Sequence, residues 1–169
     1  MADGWKVVHM KIVITAPFAA QQVEELKGQH EVLFSPQDDS TPLRSEEQLH
    51  SLLAEERAEI FITESDRVTA QVLEGLDDLK LLCVCRTGLN NIDIPACTDH
   101  GVALVNAPGR NAAAVADMVM ALFIDMSRFL FEGEKLLRSG QWDEGIYYRL
   151  RGHELYGNTV ATIGFGAIP

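Results

Sequence analysis

Short, continuous apolar runs alternate along this chain with segments whose apolar residues recur at helical spacing. The runs are Lys11-Ile-Val-Ile-Thr15, Glu31-Val-Leu-Phe-Ser35, Glu59-Ile-Phe-Ile-Thr63, Leu79 to Cys85, and Val102-Ala-Leu-Val-Asn106. They predict strands buried on both faces. Between them, Gln21 to Lys27 puts Val23 and Leu26 on one face and is closed by Gly28. Pro36 to Leu43 is a polar loop, after which Ser45-Glu-Glu-Gln48 places an acceptor and a Gln at capping-box spacing ahead of Leu49, Leu52 and Leu53. Val68 to Leu76 predicts a further helix. Asp93, with Pro95 in the first turn, caps another that ends before Gly101. Single helices between apolar strands specify a parallel sheet with right-handed crossovers. The predicted fold class is α/β, a flavodoxin-like doubly wound parallel sheet over residues 8–108.

After Pro108-Gly109 the pattern changes. Asn111 to Arg138 lacks proline, contains only Gly133, and carries apolar residues at helical spacing from Val115 to Leu137. It predicts one helix of about 28 residues at ~1.5 Å rise each, long enough to bridge out of the first domain. Gly140-Gln-Trp142 stops it, and Asn111 is its expected N-cap. A mixed loop through Tyr147, Tyr148 and His153 leads to Thr159-Val-Ala-Thr-Ile163, a strand running into Gly164-Phe-Gly166. In a dinucleotide-binding turn the first glycine permits the tight reversal and the second lets the backbone approach a pyrophosphate at a helix N-terminus. The third glycine of that pattern would fall at Pro169. A Gly-rich turn after any strand is the plainer alternative. Residues 109–169 are therefore expected to be a bridging helix and the start of a truncated Rossmann domain.

Composition narrows the classes. The chain is 47% hydrophobic and 23% charged, as globular proteins are. The apolar stretch Val115 to Ile124 is interrupted by Asp117 and falls short of the roughly 18 to 20 residues of a membrane span. The opening Met1-Ala-Asp-Gly-Trp-Lys6 has no signal-peptide pattern, so the expected location is cytoplasmic. A net charge of −11 with scattered Lys and Arg opposes binding to nucleic acid. Cys83, Cys85 and Cys97 lack metal-ligand spacing and read first as buried free thiols, with a redox role as the alternative. A phospho-receiver shares the fold class but needs acidic residues after the first and third strands; Thr15-Ala-Pro17 has none, and Glu64 alone is too little.

Several ordered motifs carry a resemblance: Val68-Thr-Ala-Gln-Val-Leu73, Leu79-Lys-Leu-Leu82, Gly88-Leu-Asn-Asn-Ile-Asp93, His100 to Asn111 with Asn106 and Pro108, Ala114-Val-Ala-Asp117, and Gly140-Gln-Trp142. Over roughly residues 10–168 the chain resembles the N-terminal half of the D-isomer-specific 2-hydroxyacid dehydrogenases, among them D-3-phosphoglycerate dehydrogenase. The resemblance implies a flavodoxin-like substrate domain, a long helix into a Rossmann domain, and NAD as cofactor. It implies that backbone N–H groups of Arg86, Thr87, Gly88 and Leu89 receive the carboxylate of a small 2-hydroxy or 2-oxo acid. Convergent N–H donors suit a carboxylate, and a glycine lets the backbone come close; a plain turn capped by Asp93 is the alternative. Gly164 and Gly166 match the pyrophosphate-binding glycines.

The chain also departs from the family pattern. The family commonly shows G-x-G followed by Asp-Asn-Ile-Asp in this loop, whereas here it reads Arg86-Thr-Gly88-Leu-Asn90-Asn91, and Arg86 either touches the acid or pairs with a surface carboxylate. Asp117 stands where the family usually has Glu, as a structural acceptor. The family's catalytic Arg, Glu and His lie in the other half, and none of His9, His30, His50, His100 or His153 has the surrounding motif. The expectation is a truncated portion of an NAD-dependent oxidoreductase, inactive alone and homodimeric through the bridging helix and the loop with Trp142, Tyr147 and Tyr148, with neither a nucleic-acid nor a membrane partner. The alternative is a non-catalytic interaction module that docks through the same helix.

Overall fold

The computed structural model describes residues 8–37 and 42–168. The opening Met1 to Lys6, residues 38–41 of the polar loop, and Pro169 lie outside the described residues. Two compact units divide the chain, Met1–Pro108 and Gly109–Pro169.

In the first unit the strands are β1 (Lys11–Ile14), β2 (Glu31–Phe34), β3 (Ile60–Thr63), β4 (Leu81–Val84) and β5 (Ala103–Asn106), and the helices are α1 (Ala20–Lys27), α2 (Glu46–Glu55), α3 (Ala70–Leu73) and α4 (Ile94–Asp99). All strand pairs are parallel and the order is β2-β1-β3-β4-β5, the flavodoxin-like doubly wound arrangement. Strand periodicity explains the core. Leu33, Val13, Phe61, Leu82 and Leu104 are register partners in one row across all five strands and pack with Leu49 and Leu53 of α2, Val72 and Leu73 of α3, and Cys97 of α4. Their neighbours Ile12 and Ile14 point the other way, toward Phe18, Leu26 and Val32.

Local sequence accounts for the helix ends. The Gln48 N–H donates to Ser45 Oγ at 3.2 Å and the Ser45 N–H to Gln48 Oε1 at 2.9 Å, closing the capping box. At α4 the Ala96 N–H donates to Asp93 Oδ1 at 3.0 Å. α3 is shorter than Val68 to Leu76: Val68 is drawn into a parallel bridge with Ile92, and Gly75 turns away at φ 72°.

The second unit departs further from expectation. The single helix expected over Asn111 to Arg138 is two, α5 (Ala112–Arg128) and α6 (Leu130–Arg138), separated by Phe129 in the left-handed region at φ 54°. Polar partners explain the break. The Phe131 N–H, which an unbroken helix would give to the Ser127 carbonyl, instead donates to Asp125 Oδ1 at 2.7 Å. The Ser127 carbonyl accepts from the His153 N–H at 2.9 Å. Gly152, at φ 55°, makes this approach possible, since a Cβ there would stand 2.3 Å from the Ser127 carbonyl oxygen.

Asn111 is not a side-chain cap: its ψ of 12° is not extended and its side chain accepts no capping bond. A Gly109–Asn111 turn leads in instead, with the Ala112 N–H donating to the Gly109 carbonyl at 3.0 Å. α7 (Glu144–Arg149) is capped by Asp143, whose Oδ1 accepts from the Ile146 N–H at 3.1 Å. Thr159 to Ile163 forms no strand among the described residues, because a strand without a ladder partner leaves its backbone groups unpaired. Val160 and Ile163 are exposed. No helix among the described residues is long and apolar enough to cross a membrane.

Candidate functional site

The carboxyl ends of β1, β3 and β4 carry the site, the edge at which doubly wound sheets hold ligands. β4 runs through Cys85 into an arc, Arg86 to Leu89, that hangs between two anchors. On the β5 side, the Ala107 N–H donates to the Arg86 carbonyl at 3.2 Å. Asn106 Nδ2 donates to the Thr87 carbonyl at 2.8 Å, and Thr87 Oγ1 to the Ala107 carbonyl at 3.2 Å. On the β3 side, the Val68 N–H donates to the Asn91 carbonyl at 2.9 Å and the Asp93 N–H to the Val68 carbonyl at 2.8 Å. Asn91 Nδ2 donates to the Asp66 carbonyl at 2.7 Å.

Both ends of the arc are therefore fixed while its middle stays open. Among the described residues, the N–H groups of Thr87, Gly88 and Leu89 donate to no protein acceptor. Thr87 and Gly88 are exposed, and a Cβ on Gly88 would meet only Asn90 Oδ1, at 3.4 Å. The glycine leaves the face of the peptide open without being needed for a left-handed turn. Arg86 is half-buried, and its guanidinium has no carboxylate partner among the described residues. An unpaired guanidinium next to open N–H groups is suited to an anion.

The turn that holds the β3 anchor is itself tied by a buried carboxylate. Asp66 Oδ2 accepts from Thr15 Oγ1 at 2.5 Å and from Thr63 Oγ1 at 2.7 Å, and the Asp66 N–H donates to Thr63 Oγ1 at 3.2 Å. Thr15, Thr63 and Asp66 are all buried. Sequence reasoning missed this group, along with the anchoring amides of Asn91 and Asn106. The one local signal was a threonine at a strand end followed three residues later by Asp, a common turn motif.

The other expected residues fall out differently. Gly164 adopts φ 91°, in keeping with a turn, but a Cβ on Gly164 or Gly166 would meet nothing within 4 Å. No strand before them is formed among the described residues. Asp117 is exposed on α5 and accepts no hydrogen bond among the described residues. Cys97 is buried and Cys83 and Cys85 half-buried, none of them in a disulfide. Burial, and then the neighbouring Cys85, pushes the Cys83 thiol above its ordinary value. Burial, and then Asp93, does the same to Cys97. No cluster of metal-ligating side chains occurs among the described residues.

Comparison with known proteins bears on this geometry. A family model described as D-isomer specific 2-hydroxyacid dehydrogenase, catalytic domain, matches residues 12–164. The D-3-phosphoglycerate dehydrogenase of Methanocaldococcus jannaschii is 32% identical over 160 residues, covering 94% of this chain and 28% of that protein. The glyoxylate reductase of Thermofilum pendens is 30% identical over 159 residues, covering 94% of this chain and 46% of that protein. Among solved structures, the NAD+-bound 3-phosphoglycerate dehydrogenase of Entamoeba histolytica superimposes with a TM-score of 0.58 at 26% identity, over 72% of this chain and 40% of that one. The chain spans about half or less of the length of the curated relatives it matches.

Proposed function

We propose that the first unit holds the substrate of an NAD-dependent oxidoreductase, from the premise that this chain belongs to the D-isomer specific 2-hydroxyacid dehydrogenase family. On this reading residues 8–108 are the substrate-binding domain, and residues 109–169 are the bridge and the beginning of the NAD-binding domain. The reaction interconverts a D-2-hydroxy acid and a 2-oxo acid. The observation that carries the reading is the anchored arc, with open N–H groups at Thr87, Gly88 and Leu89 beside the unpaired guanidinium of Arg86. The N–H groups take the acid's carboxylate, and Arg86 adds a charge-assisted contact and sets the orientation of the acid.

Bound NAD supplies hydride transfer in such enzymes. Gly164 and Gly166 belong to its site by family position. Hydride transfer also needs a proton donor within hydrogen-bond reach of the substrate, which the family resemblance places outside the first unit. The chain alone binds the acid without turning it over. The reading includes a cytoplasmic site of action, where free thiols such as Cys83, Cys85 and Cys97 persist.

The test is an amide-resolved titration of the chain with oxamate, a non-reducible analogue of a 2-oxo acid. The expected result is saturable shifts at Thr87, Gly88 and Leu89, weakened by Arg86→Ala, with no NADH binding and no turnover of glyoxylate. A titration that leaves those amides unmoved sinks the reading.

A second reading is favoured by one observation: α5 exposes Met118, Met120, Leu122, Ile124 and Met126. Met118, Leu122 and Met126 line one stripe of the helix and Met120 and Ile124 another, and exposed apolar surface of this kind marks a place that protein covers. It serves either the homodimer, together with exposed Trp142, Tyr147 and Tyr148, or a non-catalytic module docked on another partner. Light scattering of the purified chain separates them: a dimer that Met118→Ser with Met126→Ser dissolves supports the first, and a monomer supports the second.

A further inference from the structure

We propose that Asp66 is a positioning residue for the acid-binding arc, holding it in register through the turn that follows β3. The inference rests on the reading of Arg86 to Leu89 as the seat of the acid's carboxylate.

The chain of bonds is continuous and each link has a named geometry. Thr15 directly follows β1 and Thr63 ends β3, and β1 and β3 are neighbours in the sheet. Both hydroxyls donate to one oxygen of Asp66, at 2.5 and 2.7 Å, so the side chain of Asp66 is pinned to two strands at once. Its own main-chain carbonyl then accepts from Asn91 Nδ2 at 2.7 Å. Two residues on, Val68 makes the bridge to Asn91 and Asp93. A shift of the turn would be passed directly to the carboxyl-terminal end of the arc.

Three features argue that the carboxylate serves this placement and not general cohesion. Apolar burial already stabilises the sheet on both faces, whereas a buried carboxylate is costly unless its acceptors are satisfied. Asp66 is only partly satisfied: Oδ1 has no donor among the described residues, and neither does the buried Oδ1 of Asn91. Among the described residues, the side-chain donors that hold it are the two threonine hydroxyls. Finally, the bond from Asn91 goes to the main chain of Asp66, so what the carboxylate fixes is the position of a carbonyl that the arc uses.

The experiment uses the full chain and four variants, Thr63→Val, Thr63→Ser, Asp66→Asn and, as a control, Val23→Ala at the buried position of α1. Oxamate affinity, thermal midpoint and hydrogen exchange at the Val68 and Asp93 amides are measured on each. Thr63→Val keeps the side-chain volume and removes a donor; it is expected to weaken oxamate roughly five- to tenfold, the size of losing one ordinary hydrogen bond. It should also speed exchange at Val68 and Asp93. Thr63→Ser returns the hydroxyl and should restore affinity to within about twofold on the same reasoning. Val23→Ala should lower the midpoint and leave oxamate affinity unchanged.

Unaltered affinity in Thr63→Val and Asp66→Asn, with the wild-type chain binding oxamate, overturns the positioning role and leaves the acid-binding reading standing. So does equal loss in Thr63→Val, Thr63→Ser and Val23→Ala, which would trace the effect to stability alone. A wild-type chain that binds no oxamate overturns the reading of the arc, and the inference falls with it. Should Asp66→Asn fail to fold, the Thr63→Val and Thr63→Ser pair still decides.

Discussion

The two units are built from similar proportions of apolar residues and spend them differently. In Met1–Pro108 the apolar residues close rows across a sheet, and every buried hydrophobic residue described except Ile146 lies in that unit. In Gly109–Pro169 many apolar residues of α5 and α6 are exposed, and among the described residues only Ser127 and Ile146 are buried. The first unit draws its stability from area removed from water; the second holds its local shape with directed polar contacts, such as Asp125 to Phe131 and Ser127 to His153. A helix can thus be fully formed while its apolar face is uncovered, and secondary structure alone is no measure of a core.

The largest break in this contrast should come from Phe61→Ala. Phe61 is fully buried in the row shared by all five strands, and its loss is expected to cost about 3–5 kcal/mol in denaturant unfolding of the first unit. Met126→Ser, at an α5 residue 72% exposed, should change stability by no more than about 0.5 kcal/mol. Equal losses would show that α5 is covered in solution.

In the second unit the sensitive position is Gly152. Gly152→Ala meets both a φ of 55° and the Ser127 carbonyl, for an expected cost of about 1–3 kcal/mol. The loss should be read as faster hydrogen exchange at His153, with the amides of β1 and β3 unmoved. Ser45→Ala, which removes half of the capping box of α2, should cost about 1 kcal/mol in the first unit; Ser45→Asp should recover most of it.

The smallest effect is one of pH, and it differs in sign between the units. The hydrogen bond from Arg149 holds Asp143 below its ordinary value of 3.8. A depressed carboxylate contributes stability that is present above that value and lost as pH falls through the folded pKa. α7 should therefore fray first on acidification, and Asp143→Asn should abolish the dependence. Cys83 and Cys97 are raised above 9.0 by burial; their contribution is present below 9.0 and lost as pH rises through the folded pKa. Alkaline titration should weaken the first unit, and Cys97→Ala should blunt the loss.

The strands of the first unit were legible because continuous apolar runs have few alternatives, and the caps at Ser45 and Asp93 were legible because donor and acceptor lie within one turn of each other. What escaped depended on partners far along the chain. No periodicity reveals that His153 takes the Ser127 carbonyl, so the break at Phe129 was invisible and the helix was drawn too long. The expected cap at Asn111 failed on a backbone angle that side-chain identity does not fix. The strand over Thr159 to Ile163 had the right composition, but a strand is a property of a pair. At the site, the arc could be read from its motif, whereas the support from Asp66 required Thr15 and Thr63 to be brought side by side by the β1 and β3 pairing.

The open N–H groups of the arc have a consequence for divergence among relatives. Every residue except proline supplies the same main-chain donor, so a seat made of such donors survives exchange of the side chain at 89. On the proposed reading, that position is free to vary around a constant grip on the carboxylate, while the Thr87 hydroxyl stays tied to the Ala107 carbonyl.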